Sequence, residues 1–273
     1  MARMNDLDDD TEPTAEDGMI AQLRRDGVLG PFHVVDWAGA TDEGLVRHRN
    51  EDRWRESDGS VFVLADGMGG HEGGSIAAEV ASDIAAANAA GMTEASAPEL
   101  TEVVNAAVVQ AGLERSLPQL GTTLVVVSAH SNHVVVLSIG DSRVYRFRDG
   151  ALEQLTEDHT VRNELIAAGV PLEKAAESKI KLNALTAHIG KQRTGFVPYQ
   201  VESYSVNDGD RLLLCSDGVH NQVSDADVAA AMCLQPCSAS ADRLVDLART
   251  AGGRDNATAV VVEFARTETG AAS

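Results

Sequence analysis

The chain has 273 residues, 44% of them hydrophobic, and a net charge of -20 from 42 acidic residues against 22 Lys and Arg. That length and apolar content suit one large core or two modest ones in a soluble protein, and the charge excludes nucleic acid, whose phosphate backbone it would repel. Three cysteines, Cys215, Cys233 and Cys237, make neither a disulfide framework nor a paired zinc pattern, so a reducing cytoplasm is the expected compartment.

Residues 1–30 include Asp6, Asp8, Asp9, Asp10, Glu12, Glu16 and Asp17. They hold too little apolar surface to offset ordering and are predicted to be a disordered acidic tail. The start lacks the basic and apolar regions of a signal peptide, and no apolar run reaches membrane-spanning length, so no membrane association is expected. The folded domain is predicted to run over 31–266, with 267–273 as a short C-terminal tail. "FHVVDWAGATDEG" reads as a strand and a turn, and "SVFVLADG" as a buried strand. "EGGSIAAEVASDIAAANAAG" has helical spacing and Gly91 to stop it. "SAPELTEVVNAAVVQAGLERS" follows as a second helix, with Ser96 as cap and Pro98 in its first turn. "GTTLVVVSAH", "HVVVLSIGDS", "RVYRFRDG" and "LEQLT" are short strands split by turn residues, as in an antiparallel meander. "VRNELIAAG" is a short helix. The segment at about 170–200 has no clear period and reads as an irregular insertion or flap carrying Lys174, Lys179, Lys181 and Lys191. "DRLLLCSDG" is another buried strand. "SDADVAAAMCL" and "SASADRLVDLARTAGG" are helices opening on Ser/Asp caps, and "NATAVVVEFA" closes the domain as a strand. Helix pairs around a block of strands indicate an α+β fold with a mostly antiparallel sheet core.

Four carboxylates recur at the ends of the most apolar runs. Asp66 ends "FVLAD", Asp141 ends "VVVLSIGD", Asp217 ends "LLLCSD", and Asp255 precedes "NATAVVV". One such aspartate is ordinarily a turn residue. Four of them at neighbouring strand ends would converge and repel unless a cation joined them. Hard oxygen donors without Cys or clustered His indicate Mg2+ or Mn2+. Gly67 would let a backbone carbonyl approach such an ion, and Gly69-Gly70 and Gly73-Gly74 would permit a tight turn into the helix.

In order and rough spacing, "VRHRNED", "LADGMGGHEGG", "GTT", "IGDSRVY", "LTEDH", "SDGV" and "GGRDNATAVVV" resemble the bacterial type 2C, metal-dependent protein serine/threonine phosphatases. The resemblance runs from about Trp37 to Phe264. It implies a central antiparallel β-sandwich with helix pairs on both outer faces, in four layers. It also implies two core Mn2+ or Mg2+ ions about 3.5–4 Å apart, whose bridging water attacks the phosphorus of phosphoserine or phosphothreonine in proteins. By position, Asp66 would bridge the core ions, Gly67 would supply a carbonyl, and Asp217 and Asp255 would bind one ion. Glu51 and Asp52 would hold metal-bound waters, and Asp141 would serve a third, weaker ion. Arg47 would grip the substrate phosphate, since a guanidinium fork fits phosphate in two-pronged fashion. The resemblance further implies a monomer acting on the phosphoprotein substrates of a serine/threonine kinase.

The chain departs from the family pattern at two motifs. Met68 stands where eukaryotic members carry a histidine general acid, so a proton for the leaving group must come from water or another group; His71 is nearby. Ala187-His188 in "LTAHIG" stands where bacterial members commonly carry "LTRALG". Among rivals, Cys237 to Arg243 has the spacing of a cysteine phosphatase but no glycine cradle, and Asp242 would repel phosphate. A haloacid-type phosphatase needs an aspartate where Met68 lies. A catalytically inactive scaffold that binds phosphoproteins would ordinarily lack a metal aspartate, and here Asp66, Asp217 and Asp255 are all present.

Overall fold

Period-two alternation of apolar side chains builds two sheets. In the computed structural model, which describes residues 32–69, 72–117, 120–172, 180–190 and 197–267, the first sheet has five strands. In spatial order these are β1 (Phe32–Asp42), β11 (Ala257–Arg266), β10 (Arg211–Cys215), β7 (Arg143–Arg148) and β8 (Ala151–Gln154). The second runs β2 (Asp52–Ser57), β3 (Val61–Met68), β5 (Leu124–Ala129), β6 (His133–Ile139) and β9 (Gln200–Ser205). The two-residue strand β4 (Gly121–Thr122) pairs with the end of β3. Every pairing within the two sheets is antiparallel.

The inner faces of the sheets meet. Phe62 and Leu64 of β3, Val125 and Val127 of β5, Leu212 and Leu214 of β10, and Val260 and Val262 of β11 share one buried cluster. The alternate residues face outward under helices. Val61, Val63 and Val126 pack with Ala77, Ala81, Val104 and Val108 of α1 (Gly73–Asn88) and α2 (Ala97–Glu114). Leu213, Cys215 and Val261 pack with α4 (Asp217–His220), α5 (Asp225–Met232) and α6 (Cys237–Thr250). Both faces of the central strands are therefore buried, which is why they read as unbroken apolar runs. The layers are helices, sheet, sheet, helices, as the sequence led us to expect. The seven-residue α3 (Val161–Ala167) buries none of its residues.

Several local expectations change. β2 and β9 were not predicted. Both are edge strands of the second sheet, and their sequences "DRWRES" and "QVESYS" bury one side at most, so no apolar run marks them. Helix α6 opens at Cys237, not at a serine cap: Asp36 of β1 accepts from the Cys237 N–H at 2.7 Å. Ser96 makes no side-chain cap to α2, and its hydroxyl oxygen accepts from the Thr93 N–H. Of the predicted flap, 180–190 forms no strand or helix beyond isolated bridges of Leu185 to Thr160 and of Ile189 to Thr122. The acidic tail at 1–30, all but Thr267 of the C-terminal tail, His71, Lys174, Lys179 and Lys191 lie outside the described residues.

Candidate active site

The same alternation that builds the inter-sheet core ends it in polar residues. Two positions beyond Leu64 on the same face of β3 is Asp66, and opposite it in the β2 ladder is Asp52. Thr123 stands two before Val125, Ser142 two before Val144, Ser216 two after Leu214, and Thr258 two before Val260. These side chains close one end of the sandwich and bond to one another across it. The hydroxyls of Ser216 and Thr258 both donate to Asp52 Oδ2 at 2.7 Å, tying the two sheets through one carboxylate. Thr123 accepts from the Asp66 N–H at 2.9 Å, its own N–H donates to the Asp66 carbonyl at 2.9 Å, and its hydroxyl meets that of Ser142 at 2.7 Å.

Above this floor lies a cavity of about 540 Å3. Its wall includes Glu51, Asp66, Asp141, Asp217 and Asp255, together with Gly67 and Arg47. Every sequence-predicted site residue except Asp52 therefore reaches the cavity wall. Asp52 lies beneath it, buried. Asp66 is inside β3, not at its end, because the strand continues to Met68 beside β4. Asp217 is the first residue of α4, Asp141 follows β6, and Asp255 precedes β11.

Glycine at 67 and 74 has a packing reason. A side chain on Gly67 would collide with the Gly74 carbonyl, and one on Gly74 would lie 2.6 Å from Glu51 Oε2. The first turn of α1 thus rests directly on the backbone of β3, with the Glu51 carboxylate against it.

The loop bearing Arg47 is stapled by Asn256. Its Oδ1 accepts from the Glu51 N–H at 2.9 Å, and its Nδ2 donates to the carbonyls of Glu43 and Arg49 at 2.8 Å each. Arg47 extends from this loop to Asp255, with Nη2 2.5 Å from Oδ2. On the other side, Arg143 grips Asp158 with two bonds of 2.8 and 2.7 Å. His220 Nε2 lies 2.9 Å from the Asp141 carbonyl, so that nitrogen carries the proton, and burial lowers the ring's pKa to about 4. Thr122, Thr123, Ser142, Ser216, His220, Asn256 and Thr258 were not singled out by sequence reasoning. They stand in or beside the quoted motifs, but their role is to position neighbours, which no residue type announces by itself.

Electrostatically the site is unbalanced. Burial first, and then the charges of Asp52, Asp217, Asp141 and Asp255, hold the Asp66 carboxyl well above the ordinary carboxylate range. Burial and then Asp141, Asp255 and Asp52 push Asp217 up to about 7, and burial with Asp158 pushes Asp141 up to about 6. Among the described residues five carboxylates line the cavity against two guanidiniums, and one of these, Arg49, pairs outside it with Glu72. Asp52 Oδ1 is buried without a hydrogen-bond donor, within reach of Asp66. An all-oxygen donor set with excess negative charge and an orphaned carboxylate oxygen fits a hard divalent cation.

The cysteine rival fails on geometry. Cys237 is buried at the start of α6, its Sγ accepts from Arg211 Nη2 at 3.2 Å, and burial raises its pKa to about 11. It is no part of the cavity wall. Asp36, Cys237 and Glu263 cluster there, but the Arg211 guanidinium already supplies a cation to Cys237 and Glu263.

The profile of the family described as protein phosphatase 2C matches residues 46–255, which takes in the cavity wall from Val46 to Asp255. The chain belongs to the protein phosphatase 2C family. Serine/threonine protein phosphatase PstP of Mycobacterium tuberculosis (strain H37Rv) is 35% identical over 242 residues, covering 84% of this chain and 45% of PstP. This family member thus spans under half the length of that relative. Serine/threonine phosphatase stp of Listeria welshimeri is 34% identical, covering 82% of this chain and 93% of stp. Among solved structures, the catalytic domain of PstP in complex with two manganese ions superposes with a TM-score of 0.73 at 32% identity, over 85% of this chain and 99% of that one. No helix among the described residues is long and apolar enough to cross a membrane.

If the carboxylates repel one another at the expense of stability, relieving one should stabilise the metal-free fold. Asp217→Asn in EDTA at pH 8 is expected to melt at least 2–4 °C above wild type, the shift that about 1 kcal/mol produces in a domain of this size. Mn2+ should raise the wild-type melting temperature and raise that of the variant less. Scanning calorimetry on both proteins, with and without Mn2+, checks this.

Proposed function

We propose that this chain is a metal-dependent protein phosphatase that hydrolyses phosphoserine and phosphothreonine in proteins. The observation that carries the reading is the convergence of Glu51, Asp66, Asp141, Asp217 and Asp255 on one cavity, with Arg47 at its edge. The names of the PstP and stp relatives support the substrate class.

In this reading Asp66, Asp217, Asp255 and the Gly67 carbonyl would hold two core Mn2+ or Mg2+ ions. Asp141 would serve a third ion, and Glu51 and Asp52 would act through metal-bound waters. When bound, such ions supply positive charge against phosphoryl oxygens and lower the pKa of water. The overall reaction forms one bond from a water oxygen to phosphorus, breaks the bond from phosphorus to the seryl or threonyl oxygen, and returns a proton to that oxygen. Arg47 orients the phosphate, and its pairing with Asp255 keeps the guanidinium poised at the mouth in the absence of substrate. Asn256 fixes the loop from which Arg47 extends, and the ion pair with Asp255 places the guanidinium at the end of that side chain. Met68 lines the cavity and has no proton to give, so the proton for the leaving oxygen comes from water or another group. The phosphoproteins acted on would be substrates of a serine/threonine kinase, met by a cytoplasmic monomer.

Hydrolysis of a phosphothreonine peptide is expected with Mn2+ and should vanish in EDTA. Full activity after stringent metal removal would refute the proposal. Binding of the peptide without turnover in Mn2+ would instead favour an inactive phosphoprotein-binding scaffold.

Arg47 and Arg49 both line the cavity, and kinetics should separate them. A charge-assisted contact to phosphate contributes about 1.5–3 kcal/mol, so Arg47→Ala should raise KM roughly tenfold to a hundredfold with a smaller effect on kcat. Arg49, whose only ion pair among the described residues is an exposed one with Glu72 at 3.5 Å, should tolerate Ala with little change. Indistinguishable KM values for the two variants would remove Arg47 from the phosphate site.

A further inference from the structure

The cavity mouth carries apolar side chains that phosphoryl chemistry does not require. Val46 lines it beside Arg47 and is 59% exposed, and Leu45 next to it is 60% exposed. Exposed apolar residues are ordinary on protein surfaces. These two differ in sitting on a loop with little freedom. The Gly44 N–H donates to Asp42 Oδ1 at 2.7 Å and the Leu45 N–H to the Gly253 carbonyl at 2.7 Å. Asn256 holds the carbonyls of Glu43 and Arg49 on either side. A side chain at Gly253 would lie 2.8 Å from Leu45 Cγ, so Leu45 packs over bare backbone there. Val46 is thus kept exposed at a fixed place relative to Arg47.

A separate segment brings a second apolar group to the same cavity. Leu185 lines it, held by the bridge between its backbone and Thr160, and Met68 adds to the wall. The volume of about 540 Å3 falls within the range of sites that take an organic ligand. The guanidiniums at the mouth are already engaged, Arg47 with Asp255 and Arg49 with Glu72. Among the described residues lining the cavity, no guanidinium is left unpaired to receive an acidic residue next to the phosphate, whereas five carboxylates face it. An apolar residue would meet Val46 and Leu185.

Resting on the phosphatase reading above, we propose that Val46 and Leu185 form a recognition subsite for an apolar side chain within two residues of the phosphoserine or phosphothreonine, and that acidic neighbours are disfavoured. The pair selects among phosphoproteins by sequence, while Arg47 and the carboxylates handle the phosphate common to all of them.

The test uses the full chain loaded with Mn2+ and phosphothreonine peptides in a Gly/Ser background. Leu or Asp is placed singly at each of the two positions on either side of the phosphothreonine. Leu at one or more positions should raise kcat/KM about three- to tenfold over Gly, as expected for partial burial of one aliphatic side chain, and Asp should lower it. In Val46→Ser and Leu185→Ser the ratio of Leu to Gly peptides should fall toward one, and Val46→Leu should retain it. Val46 is exposed, so its variants are expected to fold, and a melting curve checks that. A wild type that hydrolyses all peptides within about twofold of one another would overturn the subsite alone, as would a preference for Leu that survives both serine variants. Failure to hydrolyse any peptide would overturn the phosphatase reading and the subsite with it.

Discussion

Asp52 and Asp66 stand opposite each other on β2 and β3, in the space between the two sheets, and neither carboxylate has a basic partner among the described residues. Asp217, Asp141 and Asp255 add their charge to the same place. A fold selected for stability alone would put an apolar residue at Asp66, as it does at Leu64 two residues before it. The repulsion is the constraint from which the rest of the site follows. Carboxylates gathered in this way need a proton or a cation to offset their charge, and the surrounding bonds serve to keep them from moving apart.

Those bonds come from both sheets. Ser216 and Thr258 reach across from β10 and β11 to Asp52, while Thr123 holds the backbone of Asp66 from both of its own polar groups. His220 ties the Asp141 carbonyl to the helix that begins with Asp217. Asn256 ties the Arg47 loop to the residue after Asp255. The Asp52 carboxylate and the backbones of Asp66, Asp141 and Glu51 are therefore held by neutral groups of other elements. Such a network keeps the acidic oxygens free for a ligand, because hydroxyls and amides position the backbone without neutralising the side chains.

The central strands were legible because both of their faces are buried and their sequences are unbroken apolar runs. β2 and β9 were not, since an edge strand with one covered face need show no such run, and "DRWRES" carries four charged residues, Asp52, Arg53, Arg55 and Glu56. The site aspartates were legible as a recurrence, four carboxylates beside four apolar runs, and the order of motifs named their family. The cap of α6 was not, because its acceptor, Asp36, lies 201 residues away in the chain. Thr123, Ser216 and Thr258 were missed for the same reason. Their hydroxyls matter only through partners that the fold brings together, and a serine or threonine at a strand end looks like any other. Gly67 was assigned to backbone approach toward an ion, and the structure adds a second cause in its contact with Gly74.

The claim on which the account rests is that this ring of carboxylates is a cation site with Asp66 shared between two ions. Electron paramagnetic resonance during titration of the metal-free protein with Mn2+ addresses it directly. The account predicts that the six-line signal of free Mn2+ stays suppressed until about two ions per chain are bound, with the spin-coupled spectrum of a close pair in its place. A free-ion signal that grows in proportion to added Mn2+ from the first addition, in folded protein, would contradict it.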